Sequence, residues 1–455
     1  MLPLVGVIYT KESALSREGA QLAQYVALCV ASSGRCSKTW LVAVTNDGKD
    51  LDQSKLKSGA VALRCDGAVL DSCNFSADVY EETTNVKFLG ACDLWLLMVD
   101  ADATLEVASY LQKVLEKPSD SHPKRVVLSL QTAMRRLAQL NLALPEAIVL
   151  HGGAAFQVVK DVNERLKPLS SGCFFVERLS KEKSPALYAL DVLESTGIQV
   201  LSRHNIQGTM IPSPYSIVTI STSEYFGVTA MKWGCTMLRT FYYINALSGK
   251  SVIGGLRDRN TRYLFLQALV EMDELFQTVA ASVASTEERS SRRGGVKSSP
   301  DTSAATLFPV QSLMILLPLP NWIFNFFVLR AFDLGLVASS SDDTSVISSD
   351  LKAIPPLQTN FDAELRDVFE LAAKRNMALP VLTMLQNSLL YVKKQRHEEH
   401  QHLANCNTHL HIDSGFLLAG VDLSPRCTDA SRNFFLKVFV TFILTLLLGL
   451  YIFIW

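Results

Sequence analysis

Two hydrophobic rhythms divide this chain. Up to about residue 205, short apolar runs alternate with longer amphipathic stretches. Leu4–Tyr9, Trp40–Val44, Leu94–Val99, Arg125–Leu130 and Ala147–Leu150 are the short runs. The run Leu94–Val99 is continuously apolar, as strands inside a covered parallel sheet are. Between the first two runs, Leu15, Ala20, Leu22, Ala23, Val26, Ala27 and Val30 recur at helical spacing, and Gly34 supplies a C-terminal stop. A further helix is expected over 103–115. Asp66-Gly67, between apolar residues 61–64 and 68–70, reads as a hairpin turn. Strand then helix, repeated, predicts an α/β domain with a mostly parallel, Rossmann-like sheet over residues 1–205.

Beyond about residue 225 the strand-like runs stop. Residues 231–246, 262–283, 308–336 and 362–396 carry helical patterns, so an all-α domain is expected over 206–395. Pro309, Pro318 and Pro320 interrupt the most apolar of these stretches, which favours broken core helices over a membrane span. Residues 285–306 lack large apolar side chains and read as a disordered insertion. Residues 396–433 read as a tether.

The final 18 residues, Val438–Trp455, contain neither charge nor proline. As a helix they measure roughly 27 Å, close to the hydrocarbon thickness of a bilayer. A buried core helix would show a polar face, and this run has none. The expectation is a transmembrane tail anchor over 434–455, with Lys437 reaching to the headgroups. The lipid bilayer is then one partner, and the rest of the chain lies on the cytosolic face of an intracellular membrane, the endoplasmic reticulum or the mitochondrial outer membrane. Thr441, Thr445 and Gly449 share one face of that helix, a small-residue stripe suited to self-association.

Charge and composition narrow the chemistry. A net charge of −1 over 455 residues gives no general attraction to nucleic acid. The nine cysteines are scattered without a C-x-x-C pair, which fits a reducing compartment. Five of the eight histidines, His397, His400, His402, His409 and His411, fall in the tether region. His397-Glu398-Glu399-His400 is one residue short of H-E-x-x-H, so a hydrated spacer is expected and no metal site.

Several segments, in order, resemble the ketopantoate reductases of the 6-phosphogluconate-dehydrogenase-like group. They are Gly67-Ala68-Val69-Leu70, Leu89-Gly90-Ala91-Cys92-Asp93-Leu94-Trp95-Leu96-Leu97, His204-Asn205-Ile206, Ala230-Met231-Lys232-Trp233-Gly234-Cys235-Thr236, Phe361-Asp362-Ala363-Glu364-Leu365 and Lys374-Arg375-Asn376-Met377-Ala378-Leu379-Pro380. The resemblance implies a Rossmann-like domain that holds NADP(H), a helical domain, and reduction of a 2-oxo acid. It makes Lys232 the general acid, and aligns Gly6, Asp47 and Thr132 with cofactor positions. Ser348, Ser349 and Asn360 fall where the family binds substrate.

At those positions the sequence departs from the family. Twelve residues separate Gly6 from Gly19 where the family has G-x-G-x-x-G, the turn that brings backbone amides to a pyrophosphate. Asp47 follows the second strand where a basic residue would meet the 2′-phosphate. Asp100 replaces the lysine of the family's "LLxVK" strand. Gln131-Thr132-Ala133 replaces Q-N-G, Thr236 and Thr240 stand for asparagines, and Asn360 for a glutamate. Two functions are therefore expected. One is a non-catalytic, tail-anchored binding or scaffold protein with an unknown protein partner and no cofactor. The alternative is a divergent, membrane-held 2-dehydropantoate 2-reductase using NADP(H) and Lys232.

Overall fold

The computed structural model describes residues 2–10, 17–44, 64–66, 74–76, 80–83, 92–99, 103–115, 125–131, 137–160, 166–168, 173–177, 181–201, 228–291, 310–329, 360–402, 412 and 417. The N-terminal half is built on strands β1 (Leu4–Thr10), β2 (Lys38–Val44), β3 (Arg64–Asp66), β4 (Asn74–Ser76), β5 (Tyr80–Thr83), β6 (Leu94–Met98), β7 (Val126–Ser129), β8 (Ile148–Ala154), β9 (Val158–Lys160), β10 (Leu166–Pro168), β11 (Cys173–Val176) and β12 (Gln199–Leu201). Helices α1 (Arg17–Ser32), α2 (Thr104–Leu115), α3 (Leu137–Ala143) and α4 (Leu187–Glu194) accompany them.

The main sheet runs β12-β11-β8-β7-β6-β1-β2-β5. From β5 to β8 every pairing is parallel, the strand order of a doubly wound dinucleotide-binding fold. Its apolar strands are buried on both faces because helices cover both. Val5, Val7 and Tyr9 of β1 and Leu94, Leu96 and Met98 of β6 face the core beneath α1 and α4. Ile8, Trp95 and Leu97 face the opposite core beneath α2 and α3. This is the period-two alternation of a strand, with both sides apolar. Helix α1 stops where the sequence placed its stop, since Gly34 takes a φ of +67°.

Two features differ from the sequence reading. β3 pairs antiparallel with β4, beginning at Asn74, and Gly67 of the expected turn lies outside the described residues. The expected strand 68–70 lies outside the described residues. The sheet also gains β11, antiparallel to β8, which carries parallel β12 at the edge. Gly152 and Gly153 permit this addition. A Cβ on Gly152 would sit 2.4 Å from the Phe175 carbonyl oxygen, and one on Gly153 would sit 2.4 Å from the Phe175 ring. Only glycine lets β11 approach so closely.

The C-terminal half is helical: α5 (Val228–Ser248), α6 (Val252–Arg257), α7 (Arg259–Ser291), α8 (Val310–Leu316), α9 (Asn321–Ile323, continued by a π-helical turn Phe324–Leu329), α10 (Asn360–Lys374) and α11 (Pro380–His402). α5 and α7 form its axis, with α10 and α11 packed against them. The one helical stretch expected over 362–396 is two helices. Asn376 takes a φ of 54° and Pro380 opens α11 at the position where a missing N–H costs nothing. Glu271 of α7 caps that opening, accepting from Val381 N at 2.7 Å and Leu382 N at 3.0 Å. α7 runs through Ser291, into the segment 285–306 expected to be disordered, and α11 runs to His402, into the expected tether. Pro318 and Pro320 do break the apolar stretch, between α8 and α9. Among the described residues no helix is long and apolar enough to cross a membrane. The expected anchor, 434–455, lies outside them, as does the expected boundary at residue 205.

Candidate functional site

In an open doubly wound sheet, ligands lie at the carboxyl ends of the strands, where the strand order reverses. Here the reversal falls between β1 and β6, and the helical half meets the sheet nearby, α5 touching β8 and β11. β7 ends at Ser129, and Gln131 follows with its side chain buried. The Gln131 amide lies on the Thr104 hydroxyl at the start of α2, Nε2 at 2.9 Å and Oε1 at 3.2 Å. Ser129, two residues earlier on the same strand face, is also buried, and its hydroxyl has no hydrogen-bond partner among the described residues.

Lys232 arrives from α5. Its side chain is 0% exposed, and its ammonium donates to the main-chain carbonyl of Gln131. The pairing has a plain cause. A carbonyl just past the end of a buried strand has left the sheet ladder and still requires a donor. A lysine in an apolar contact likewise requires an acceptor. Each satisfies the other across the junction of the two halves.

One turn on, Thr236 Oγ1 donates to the Lys232 carbonyl at 3.1 Å, and Thr240 Oγ1 to the Thr236 carbonyl at 3.0 Å. Both hydroxyls are buried and bond back to their own helix, a habit of Ser and Thr inside helices. Arg239 is buried on the same helix. Trp233 fixes the helix from its other side, with Nε1 donating to the Met272 carbonyl at 3.3 Å.

The remaining expected positions divide. Gly6 is the third residue of β1, in register with Trp40 and Trp95, four residues short of the strand's carboxyl end. It is not in the turn that would face a pyrophosphate. That end is formed by Tyr9 and Thr10, both buried. Asn360 is the first residue of α10, which packs on α5. Asp47, Thr132, Ser348 and Ser349, and also Asp100, lie outside the described residues. The structure thus joins Lys232 to Gln131 and adds Thr104 and Ser129, which carried no motif in the sequence. Their only signal there was a polar side chain beside an otherwise apolar strand.

The fit to a dinucleotide is poor at one defined place. β1 brings no glycine to its carboxyl end, and residues 11–18 supply none. Without one, a side chain stands between the backbone amides and a phosphate. Asp93, by contrast, is wholly structural. It lies at the amino end of β6, where its Oδ2 accepts from Leu4 N at 2.9 Å and its carbonyl accepts from Tyr188 at 2.7 Å.

No family model and no curated protein matches the chain in sequence. Solved structures do match in fold. A D-mandelate dehydrogenase complexed with NADH superposes with a TM-score of 0.52 at 11% identity, over 86% of this chain and 99% of that one. The ternary complex of D-mandelate dehydrogenase with NADH and anilino(oxo)acetate gives 0.53 at 12%, over the same shares. A PanE/ApbA family ketopantoate reductase from Ralstonia eutropha gives 0.52 at 13%, again over 86% and 99%. The chain has the two-part fold of the ketopantoate reductases, Rossmann-like sheet and helical half together.

Proposed function

We propose that this chain is a binding or scaffold protein on a reductase fold, held at a membrane by residues 434–455 and without turnover of its own. One observation carries the reading. Lys232, the only charged group that matches the family's proton donor, is fully buried with its ammonium bonded to the Gln131 main chain. A general acid must reach the atom it protonates. The hydroxyls of Thr236 and Thr240 face inward in the same way, and the turn after β1 has no glycine cradle.

A divergent reductase of a 2-oxo acid is the second reading. Its support is position: Lys232 and Gln131 stand at the carboxyl edge of the sheet, where a nucleotide would lie in this fold, and the matched D-mandelate dehydrogenases are complexes with NADH. A single experiment separates the two. The full chain in detergent is titrated with NADPH and NADH while thermal stability and nucleotide fluorescence are read. Ligand at 100 times its Kd stabilises by about 2.7 kcal/mol. The binding-protein reading expects no nucleotide oxidation with ketopantoate or other 2-oxo acids. Turnover that disappears in Lys232→Ala overturns it and establishes the reductase.

A further inference from the structure

The turn after Pro320 exposes two large aromatic residues on an otherwise well-packed element. Trp322 is 69% exposed and Phe326 is 54% exposed. The other face of the same turn is buried, with Ile323, Phe324 and Leu329 forming a small core with Leu319. The turn is also rigidly mounted. The Arg262 guanidinium, itself buried, donates to the carbonyls of Leu317 and Leu319 at 3.0 and 2.9 Å and to Asn321 Oδ1 at 2.8 Å, and it stacks on the Phe324 ring at 4.2 Å.

Two arginines stand on the segment that Arg262 ties to this turn. Through its other donors Arg262 binds the carbonyls of Leu256 and Arg257. Arg259 Nη2 donates to Tyr263 Oη at 3.0 Å, and Tyr263 Oη reaches the Pro318 carbonyl at 3.4 Å. Arg257 and Arg259 are both exposed. Asp258, the carboxylate between these arginines in the sequence, is engaged by Lys250 at 2.5 Å and by the Thr261 hydroxyl at 2.6 Å.

We infer that the Trp322–Phe326 turn, flanked by Arg257 and Arg259, seats on the anionic surface of the bilayer that holds the chain. A tryptophan, with its apolar body and indole N–H, settles at the headgroup level, a phenylalanine beside it adds apolar contact, and arginines on the adjoining segment add attraction to anionic lipid. Two aromatics are too small a patch for a stable protein interface, which needs about 800 Å² per partner. The inference rests on the proposed anchor. The chain is still docked on the helical half at Ile412, whose N donates to the Leu247 carbonyl at 3.0 Å, and at Leu417, buried in the helical core. Even fully extended, the chain from Leu417 to the start of the proposed span at residue 434 can reach no more than about 60 Å, which keeps the helical half close to the lipid.

The full chain carrying Trp455→Phe is placed in phosphatidylcholine vesicles containing phosphatidylserine, with and without brominated acyl chains. Trp40, Trp95 and Trp233 are buried in the protein, so Trp322 is the tryptophan open to lipid. The expected result is flotation with the vesicles and quenching of tryptophan emission by bromolipid. Trp322→Phe should remove most of that quenching. Arg257→Glu with Arg259→Glu should weaken it, as should omission of phosphatidylserine. Flotation without Trp322 quenching overturns this inference and leaves the anchor standing. Failure to float overturns both. Shielding of Trp322 from aqueous iodide without bromolipid quenching, in a chain that crosslinks to a second copy, assigns the face to self-contact and also overturns it.

Discussion

Replacing Arg262 by methionine should damage the helical half more than any other single change to a charged residue described above. The guanidinium reaches oxygen acceptors of three segments: the main chain at the end of α6, the main chain of the turn after α8, and the Asn321 side chain at the start of α9. Its bonds to the Leu317 and Leu319 carbonyls are buried, so water cannot replace them at once. Leaving a buried acceptor without a donor costs about 1–3 kcal/mol, so the pair amounts to roughly 4 kcal/mol. Methionine restores much of the apolar contact with Phe324 but none of the donors. A domain of this size loses about 2–4 °C of Tm per kcal/mol, which predicts a fall of roughly 8–16 °C. Calorimetry of the full chain measures it, and hydrogen exchange localises it. The first amides to lose protection should be those of 310–329 and 252–262, with the β1–β8 sheet unchanged. Arg262→Lys should recover only part of the loss, because one ammonium cannot span the fork of carbonyls. An unchanged Tm in Arg262→Met, or protection lost first in the sheet, would refute the idea that this one side chain splices the three segments.

Gly152→Ala should destabilise by about 1–3 kcal/mol, since its methyl meets a main-chain carbonyl that cannot swing aside; urea unfolding measures it. Cys92 and Cys173 should resist iodoacetamide at pH 8 in the native chain and react after denaturation, because burial pushes both thiols up to about 12; peptide mapping by mass spectrometry reads each site. Burial raises the Glu271 carboxyl above its ordinary value of 4.5, outweighing the two N–H bonds it accepts. A raised folded value means stability that is present at low pH and lost as pH rises through it. Glu271→Gln lacks that loss, so it should gain on the wild type as pH climbs from about 4.5 upward, and parallel unfolding curves across that range would contradict the assignment.

Much of the architecture was legible because strong periodicity and burial agree. β1, β2, β6 and β7 are continuous apolar runs, and each became a strand of the covered sheet. β9, β10 and β12 were not legible, since three residues are too few to show a period. The extra strand β11 depends on Gly152 and Gly153 making room for Phe175, a contact between residues that sequence does not juxtapose. The break between α10 and α11 was hidden because apolar spacing continues across it, although Asn376 and Pro380 carried the signal. α7 outran its expected end because a helix already nucleated extends through polar residues at little cost. At the site, pattern matching located Lys232 but not its burial, and Gln131 was read as a lost amide turn when its main-chain carbonyl is the anchor for that lysine. Gly6 was matched to a turn because it lies in the right part of the sequence, and the register of β1 sets it mid-strand.

The Lys232–Gln131 bond has a consequence for how the chain is made. Its two partners are 101 residues apart, and the acceptor is translated first. At about 5–20 residues per second, the sheet's edge emerges roughly 5–20 s before the lysine that closes it. During that interval the buried seam between the halves is open and wet. A nascent N-terminal half should therefore be a chaperone client on the ribosome, released only when α5 arrives.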